Sequence, residues 1–181
     1  MDLAHIEVLR RGPRAWNAWR EQNPSQIPDL GDAALSLSER QLGPANGGPI
    51  NLRGAHISGA FLRSACLSGA DLEAADLSEA QLNSAYLDRA NLTAANLAHA
   101  VLDHTNLRGA VLTNANLTGA SLRGVQNLTQ AQINETICDL TTTFPEHLIH
   151  PLSTLEVVRR VSSVSKRNVG EDQFFSPIVC R

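Results

Sequence analysis

The chain has 181 residues, a formal net charge of −3 at pH 7 and only 4% aromatic residues. Its charge is spread evenly, since residues 1–49, 50–125 and 126–181 each carry six acidic and five basic side chains. This balance argues against a basic stripe that binds a phosphate backbone, and equally against an acidic surface that imitates DNA.

The cysteines and the N-terminus give no sign of secretion. Cys66, Cys138 and Cys180 are odd in number and form no CxxC motif, so neither a disulfide framework nor a zinc site is predicted. No apolar run approaches the roughly 18 residues of a membrane span, and residues 1–7 lack the layout of a signal peptide. We expect a cytoplasmic protein with reduced thiols, without a membrane segment, cofactor or metal.

Residues 1–28 predict two short helices. Leu3, Ile6 and Leu9 recur at a spacing of three, and Gly12 followed by proline ends the first helix. The second helix places Trp16 and the tryptophan one turn later on one side. These helices lead into a stretch of a different and stricter pattern.

A five-residue pattern repeats fifteen times without a slip from Ile50 to Gly124. Leu fills the central position, i, in fourteen of the fifteen pentads, and Ala fills position i−2 in thirteen. A helix face recurs about every 3.6 residues and a strand face every 2 or so, and neither matches five. In extended backbone i−2 and i point to the same side, so the fifth residue has to turn a corner.

The pattern therefore predicts a solenoid with a narrow interior of Leu and Ala. Glycine recurs at position i+2, where a tight bend favours a residue without a side chain. The predicted core leucines are Leu62, Leu67, Leu72, Leu77, Leu82, Leu87, Leu92, Leu97, Leu102, Leu107, Leu112 and Leu117.

The repeat A-(D/N)-L-x-x, seen for example in residues 70–74, resembles that of the pentapeptide-repeat family throughout the stretch from Ile50 to Gly124. The resemblance implies an all-β solenoid, a right-handed quadrilateral β-helix with four pentads in each coil. Residues 16–20 also resemble the segment that often precedes such repeats in bacteria. Side chains four pentads apart are then expected to stack in columns.

The β-helix is predicted to extend from residue 29 to 144, beyond the strict repeats at 50–124. Leu30 and Leu35 start the first coil, an irregular loop occupies 36–49, and the phase slips by one after Leu122. Leu128, Ile133 and Cys138 are predicted to continue the new phase in one degenerate coil.

Both ends of the β-helix require caps, because an open solenoid exposes its core and its unpaired strand edges. Residues 1–28 are the predicted N-terminal cap, and residues 145–181 the predicted C-terminal cap or tail. Ser153 and Glu156 have the spacing of a capping box, which indicates a helix. The alternative of a tail without a stable helix stays open, because the segment is rich in β-branched residues.

Columns that recur every fourth pentad predict the surface of the β-helix. Arg53 is expected beside Glu73, Asp88 beside Arg108, and Asp103 beside Arg123, as cross-strand charge pairs. Asn51, Asp71 and Asn91 form one polar column, and Asp76, Asn96 and Asn116 form another. We expect their amides to bond along each column.

Five apolar residues occupy position i−1, which points outward and is usually polar in this family: Phe61, Cys66, Tyr86, Val101 and Val111. An exposed apolar patch with a polar rim marks an interaction site. The competing interpretation is that the N-terminal helices or the chain after Pro145 cover these residues.

These observations favour a non-enzymatic protein-binding or scaffold module with an unidentified protein partner, as a monomer or an end-to-end homodimer. The resemblance also implies an alternative, a topoisomerase-protecting DNA mimic like the fluoroquinolone-resistance proteins, which the even charge disfavours. A second alternative is an enzyme or metal-binding protein that uses His99 and His104 near Asp103. Catalysis is disfavoured because the columns of a convex β-helix diverge and leave no cleft.

Overall fold

A computed structural model describes residues 1–35 and 48–153 of the chain. The predicted loop at 36–49 lies mostly outside this part, as does the predicted helix or tail after residue 153. The helices are α1 (Leu3–Arg10), α2 (Pro13–Gln22), α3 (Gln130–Asn134) and a 3₁₀ turn at Pro151–Ser153. No helix in the described part is long and apolar enough to cross a membrane.

Parallel β-bridges between positions four pentads apart build the middle of the protein. Asn51 bridges to Asp71, Asp71 to Asn91, and Asn91 to Val111, and bridges recur at every fifth residue along the chain. One coil therefore takes four pentads and has four sides. Each side is so short, because a corner follows in every pentad, that the pairing forms single-residue bridges and not long strands.

The four faces are numbered here by their outward bridging residues. Face 1 contains Asn51, Asp71, Asn91 and Val111; face 2 contains His56, Asp76, Asn96 and Asn116; face 3 contains Phe61, Gln81, Val101 and Ser121; face 4 contains Cys66, Tyr86, Asn106 and Gln126.

Leucine and alanine fill the interior. All twelve leucines of the predicted core are at most 2% exposed. Burial of each leucine stabilises the fold by roughly 2 kcal/mol. Thr105 stands where most pentads have alanine, and its buried hydroxyl donates a 2.8 Å hydrogen bond to the Leu82 carbonyl. The column therefore tolerates a hydroxyl because this polar group is bonded.

Position i+2 forms the corner in all fifteen strict pentads, and its backbone has a positive φ in each. Glycine supplies this conformation at Gly124 (φ 60°), but Ala74 and Ala94 adopt it as well, each with φ 55°. A side chain in this region costs roughly 1–2 kcal/mol. The coil therefore imposes the corner, and glycine is favourable there but not required.

Glycine at one corner also makes room for the coil before it. A Cβ at Gly124 would lie 2.6 Å from Nδ1 of His104, whereas a Cβ at Gly54 (φ 62°) would meet nothing within 4 Å. We expect Gly54→Ala to lose about 1 kcal/mol from backbone strain alone, and Gly124→Ala to lose more. Urea unfolding measures both, and His104→Ala should abolish the difference. Equal losses in the two single variants would contradict this steric explanation.

Helix α1 covers the N-terminal edge of face 2. The side chain of Asp2 caps the helix by accepting from the Ala4 N–H, and Ile6 and Leu9 are buried. The Asp2 N–H donates to the Asp29 carbonyl (3.0 Å), and the Asp29 N–H donates to Nδ1 of His5 (3.2 Å). Both backbone groups at this edge are thus paired.

The predicted first helix is present, and of its three apolar residues spaced three apart Leu3 is 69% exposed. Only Ile6 and Leu9 belong to the core cluster, so only the later turns of α1 pack against the interior. A spacing of three identified the buried side of this helix but not where its burial begins.

Helix α2 protects the edge of face 1 with side chains. Nε1 of Trp16 donates to the Asn51 carbonyl (2.6 Å), and the Asn51 N–H donates to Oδ1 of Asn17 (2.9 Å). Nδ2 of Asn17 donates to the Pro49 carbonyl (2.9 Å), and the Arg20 guanidinium donates to the Arg53 carbonyl (2.8 Å). Side chains of α2 thus replace the strand that is missing below this edge.

The first coil is longer than the others. Asp29 bridges to His56 and Ala34 to Phe61, so each partner lies seven positions further along the chain than in the regular coils. Leu30 and Leu35 are buried, as the sequence predicts for the start of this coil.

The last coil contains two extra residues. Asn116 bridges to Ile137, one position beyond the regular spacing, and Ser121 bridges to Thr143, two positions beyond it. The first slip is the predicted one, and the second, before Thr143, was not predicted. Leu128, Ile133 and Cys138 are buried in this coil.

Helix α3 replaces a straight side in the last coil, where the sequence analysis predicted no helix. Its N-terminus has a capping box, in which Thr129 and Gln132 bond each other's backbone N–H. Nε2 of Gln132 also donates to the carbonyls of Leu107 and Ala110, at 3.0 and 2.9 Å. The Thr-x-x-Gln spacing was the sequence signal that identifies this helix.

Candidate interaction surface

The five outward apolar residues differ in exposure. Phe61 and Tyr86 are each 43% exposed and Val111 is 45% exposed, whereas Cys66 and Val101 are half-buried. Helices α1 and α2 bond the edges of faces 2 and 1, and with the described residues in place Phe61 and Tyr86 each keep 43% of their surface exposed. Covering by residues after 153 lies outside the described part.

Four of the five residues share two adjacent faces. Phe61 and Val101 lie on face 3, two coils apart, while Cys66 and Tyr86 lie on face 4 and bridge directly. We call these four residues the apolar patch. Val111 lies on face 1, and the structure therefore does not place it on the patch.

Polar residues at the same outward position stabilise the coil. Nδ2 of Asn96 donates to Oδ1 of Asp76 (3.0 Å), and Nδ2 of Asn116 donates to Oδ1 of Asn96 (3.1 Å). Oδ1 of Asp76 also accepts the Ser78 N–H (3.1 Å), which closes a local turn. These bonds confirm the predicted column.

Phe61 and Tyr86 forgo this structural role. Their rings can neither accept the N–H two positions later nor bond along the column through an amide. The outward position i−1 accounts for their exposure, but apolar side chains there add no hydrogen bond to the coil.

The predicted charge pairs form only in part. Arg53 and Glu73 make an ion pair on face 1. Asp103 instead accepts from the Ser121 hydroxyl (2.6 Å) and the Arg123 backbone N–H (3.1 Å). The predicted Asp103–Arg123 ion pair is therefore wrong, because hydroxyl and backbone donors lie closer to the carboxylate.

On face 4 the predicted pair of Asp88 with Arg108 is also wrong. Asp88 accepts a 2.5 Å hydrogen bond from the Ser68 hydroxyl, one coil earlier in the same column. Arg108 is exposed and makes no ion pair with Asp88. The carboxylates of faces 3 and 4 thus serve local structure.

The two histidines considered as a metal site or base lie at separate corners. His99 and His104 are exposed, and each lies against the glycine corner of the next coil. Asp103 is bonded to Ser121. In residues 1–35 and 48–153 no group of three or more His, Cys, Asp or Glu residues could hold a metal ion.

The fold and its period define a four-sided β-solenoid whose outward columns carry its surface chemistry. The family model for pentapeptide repeats matches it in eight copies, over residues 50–83, 65–97 and 90–137. The chain belongs to the pentapeptide-repeat family.

A search of solved structures matched this chain to other pentapeptide repeat proteins. The pentapeptide repeat protein Rfr23 from the cyanobacterium Cyanothece 51142 is 30% identical with a TM-score of 0.51, covering 71% of this chain and 97% of that one. The protein alr5209 from Nostoc PCC 7120 is 29% identical, with a TM-score of 0.26 and coverages of 74% and 87%. A search of curated proteins found no match.

Trypsin-treated QnrB1, a plasmid-mediated fluoroquinolone resistance protein, is 18% identical with a TM-score of 0.32, covering 74% of this chain and 83% of that one. At this identity and TM-score no property of QnrB1 is transferred to this chain.

Proposed function

We propose that this protein is a non-enzymatic binding or scaffold module, whose right-handed β-helix presents the apolar patch to a protein partner. The single observation that carries the proposal is the 43% exposure of both Phe61 and Tyr86. On faces 1 and 2, by contrast, polar side chains at the same outward position bond along the coil. The working unit is a monomer or an end-to-end homodimer.

The rigidity of the surface supports a binding role. Every side of the coil is tied to the next by backbone hydrogen bonds, such as Leu67 N–H to the Tyr86 carbonyl (2.8 Å) and Tyr86 N–H to the Ala65 carbonyl (2.9 Å). A partner would therefore meet a surface that is already ordered, which reduces the entropic penalty of association. Aromatic side chains are the residues that most often dominate such interfaces.

Within the described residues, the carboxylates with shifted pKa values lie in the first and last coils of the β-helix. The hydrogen bond from the N-terminal ammonium of Met1 lowers the pKa of Asp29, which lies at the edge of face 2. Burial raises the pKa of Asp139, but hydrogen bonds from Thr141, Gly119 and Thr142 together hold it below its usual value. Asp29 accepts from the N-terminus and a backbone N–H, and Asp139 accepts from backbone N–H groups and threonine hydroxyls. These local bonds support a structural role and not acid–base catalysis.

The test is capture of partners by immobilised protein from a lysate of the native host. We expect the double variant Phe61→Ser/Tyr86→Ser to lose proteins that the unaltered chain retains, because the aromatic anchors are gone. Its thermal unfolding should shift little, since exposed residues contribute little to stability.

Leu140→Ser is the matched control, since Leu140 is 80% exposed but lies outside the patch, on the turn after Asp139. This variant should retain the same proteins as the unaltered chain. Equal losses in both variants, or no loss in either, would refute the patch as the binding surface.

A further inference from the structure

Acidic and basic residues are distributed evenly along the sequence but unevenly among the four faces. Within residues 50–124, faces 1 and 2 with their corners carry four acidic residues and one basic residue, a net charge of −3. These are Asp71, Glu73, Asp76, Glu79 and Arg53. Faces 3 and 4 with their corners carry four basic and two acidic residues, a net charge of +2. These are Arg63, Arg89, Arg108, Arg123, Asp88 and Asp103.

The positive charge of faces 3 and 4 is available to a partner. All four of their arginines are exposed, and within the described residues none of them takes part in an ion pair. The two carboxylates on these faces are already engaged, Asp88 with the Ser68 hydroxyl and Asp103 with Ser121 and a backbone N–H. The guanidinium groups therefore have unused donors that point outward.

These arginines border the apolar patch. Arg63 follows Phe61 on face 3 by two positions, and Arg89 follows Tyr86 at the corner of face 4. Arg108 lies on face 4, one coil after Tyr86. Arg123 lies on face 3, three coils after Phe61, which is a distance of about 14 Å along the solenoid axis. An apolar centre with a basic rim thus extends over two adjacent faces.

We propose that faces 3 and 4 bind an acidic polypeptide segment that carries apolar side chains. This inference rests on the proposed function and names the chemistry of the partner. Phe61 and Tyr86 anchor the apolar side chains of the segment, and the arginines pair with its carboxylates, guide its approach and disfavour basic partners. Nucleic acid fits less well, because the small net positive charge of these faces releases few counterions.

Fluorescence anisotropy with labelled synthetic probes tests this assignment on the full chain. The probes are a Glu- and Leu-containing peptide, the same peptide with Lys in place of Glu, and an oligothymidylate. We expect binding of the Glu peptide alone, weakened by added salt. The variant Arg63→Glu/Arg108→Glu should weaken it at least about tenfold, because two attractive charges become repulsive. The control Arg11→Glu/Arg14→Glu makes the same charge change on the N-terminal cap and should leave binding unchanged.

Each other outcome overturns the assignment. The assignment is wrong if the Lys peptide binds as tightly as the Glu peptide, or if the oligothymidylate binds more tightly than the Glu peptide. It is also wrong if Arg11→Glu/Arg14→Glu weakens binding as much as Arg63→Glu/Arg108→Glu does. Self-association in light scattering that depends on Arg63 and Arg108 would assign the surface to a second copy. Circular dichroism checks that the variants are folded, and Arg63→Gln/Arg108→Gln replaces the reversal variant if that one unfolds.

The two proposals can fail separately. If Phe61→Ser/Tyr86→Ser abolishes partner capture while charge reversal changes neither capture nor peptide binding, the patch stands and the acidic partner is wrong. If the aromatic variant also captures every partner, the proposed function fails as well.

Discussion

Leu87→Asp is expected to unfold the protein. Leu87 is fully buried in the middle of the solenoid, one coil after Leu67 and one coil before Leu107. The substitution removes roughly 2 kcal/mol of apolar burial and places an unpaired carboxylate in a dry interior. Burial of such a charge alone costs several kcal/mol, and a domain of this size is stable by about 5–15 kcal/mol.

The position in the chain enlarges this effect. Each coil of a solenoid contacts only its neighbours, so a broken rung in the middle uncouples the coils on either side. Far-UV circular dichroism and size-exclusion chromatography should report an unfolded or aggregated chain. Leu87→Ala, which leaves a cavity without a charge, should stay folded and lose about 2–5 kcal/mol.

Gln81→Asp is the control for the charge itself, because Gln81 lies at an outward position on face 3 and bridges to Val101. This variant should unfold close to the unaltered protein. A cooperative transition at the unaltered temperature in Leu87→Asp would show that position i does not face the interior.

The central coils follow from the sequence because their information is local. The period of five predicts that Leu72, Leu92 and Leu112 face the interior, and all three are buried. That residues 20 apart share one column was implied by the family resemblance, and the bridges show it. The corner at position i+2 follows from the same count. Glycine marks it in only six of the fifteen strict pentads, yet Glu79 and Arg89 adopt the same positive φ.

The ends of the coil were harder to predict because their contacts are not local. Trp16 and Asn17 bond Asn51, which lies far along the chain beyond the first coil's irregular loop, and no short pattern encodes such a pairing. Helix α3 is a little over one turn long, too short for a helical period to emerge. The exposure of Phe61 and Tyr86 likewise depends on where the caps dock, which composition does not reveal.

The separation of charge between faces is predictable from the sequence once the coil has four pentads. Sorting Arg63, Arg108 and Arg123 by their position within the four-pentad coil places them on faces 3 and 4 without any coordinates. The sequence did not predict that, within the described residues, these arginines make no ion pairs. Column neighbours such as Asp88 and Arg108 were expected to neutralise each other, but shorter side chains in the column provide the donors instead.

Trp16→Ala is expected to cause the second largest loss, about 3–5 kcal/mol, and to promote aggregation. Trp16 is fully buried at the N-terminal end of the core and packs against Trp19 with a ring separation of 5.2 Å. Its removal opens a cavity and also frees the Asn51 carbonyl at the edge of face 1. An unpaired edge beside exposed core is a template for pairing with another chain. Urea unfolding measures the first effect, and light scattering of the folded sample measures the second.

Two further variants separate packing from edge protection. Trp16→Phe keeps most of the ring but has no indole N–H, so it should lose about 1–3 kcal/mol through the unpaired Asn51 carbonyl. Asn17→Leu removes the acceptor of the Asn51 N–H and the donor to Pro49 without touching the core. It should raise scattering more than its modest loss of stability would suggest, because the edge is exposed while the coil stays folded. If Asn17→Leu stays monomeric at every concentration that aggregates Trp16→Ala, edge pairing is not what α2 prevents, and its role is packing alone.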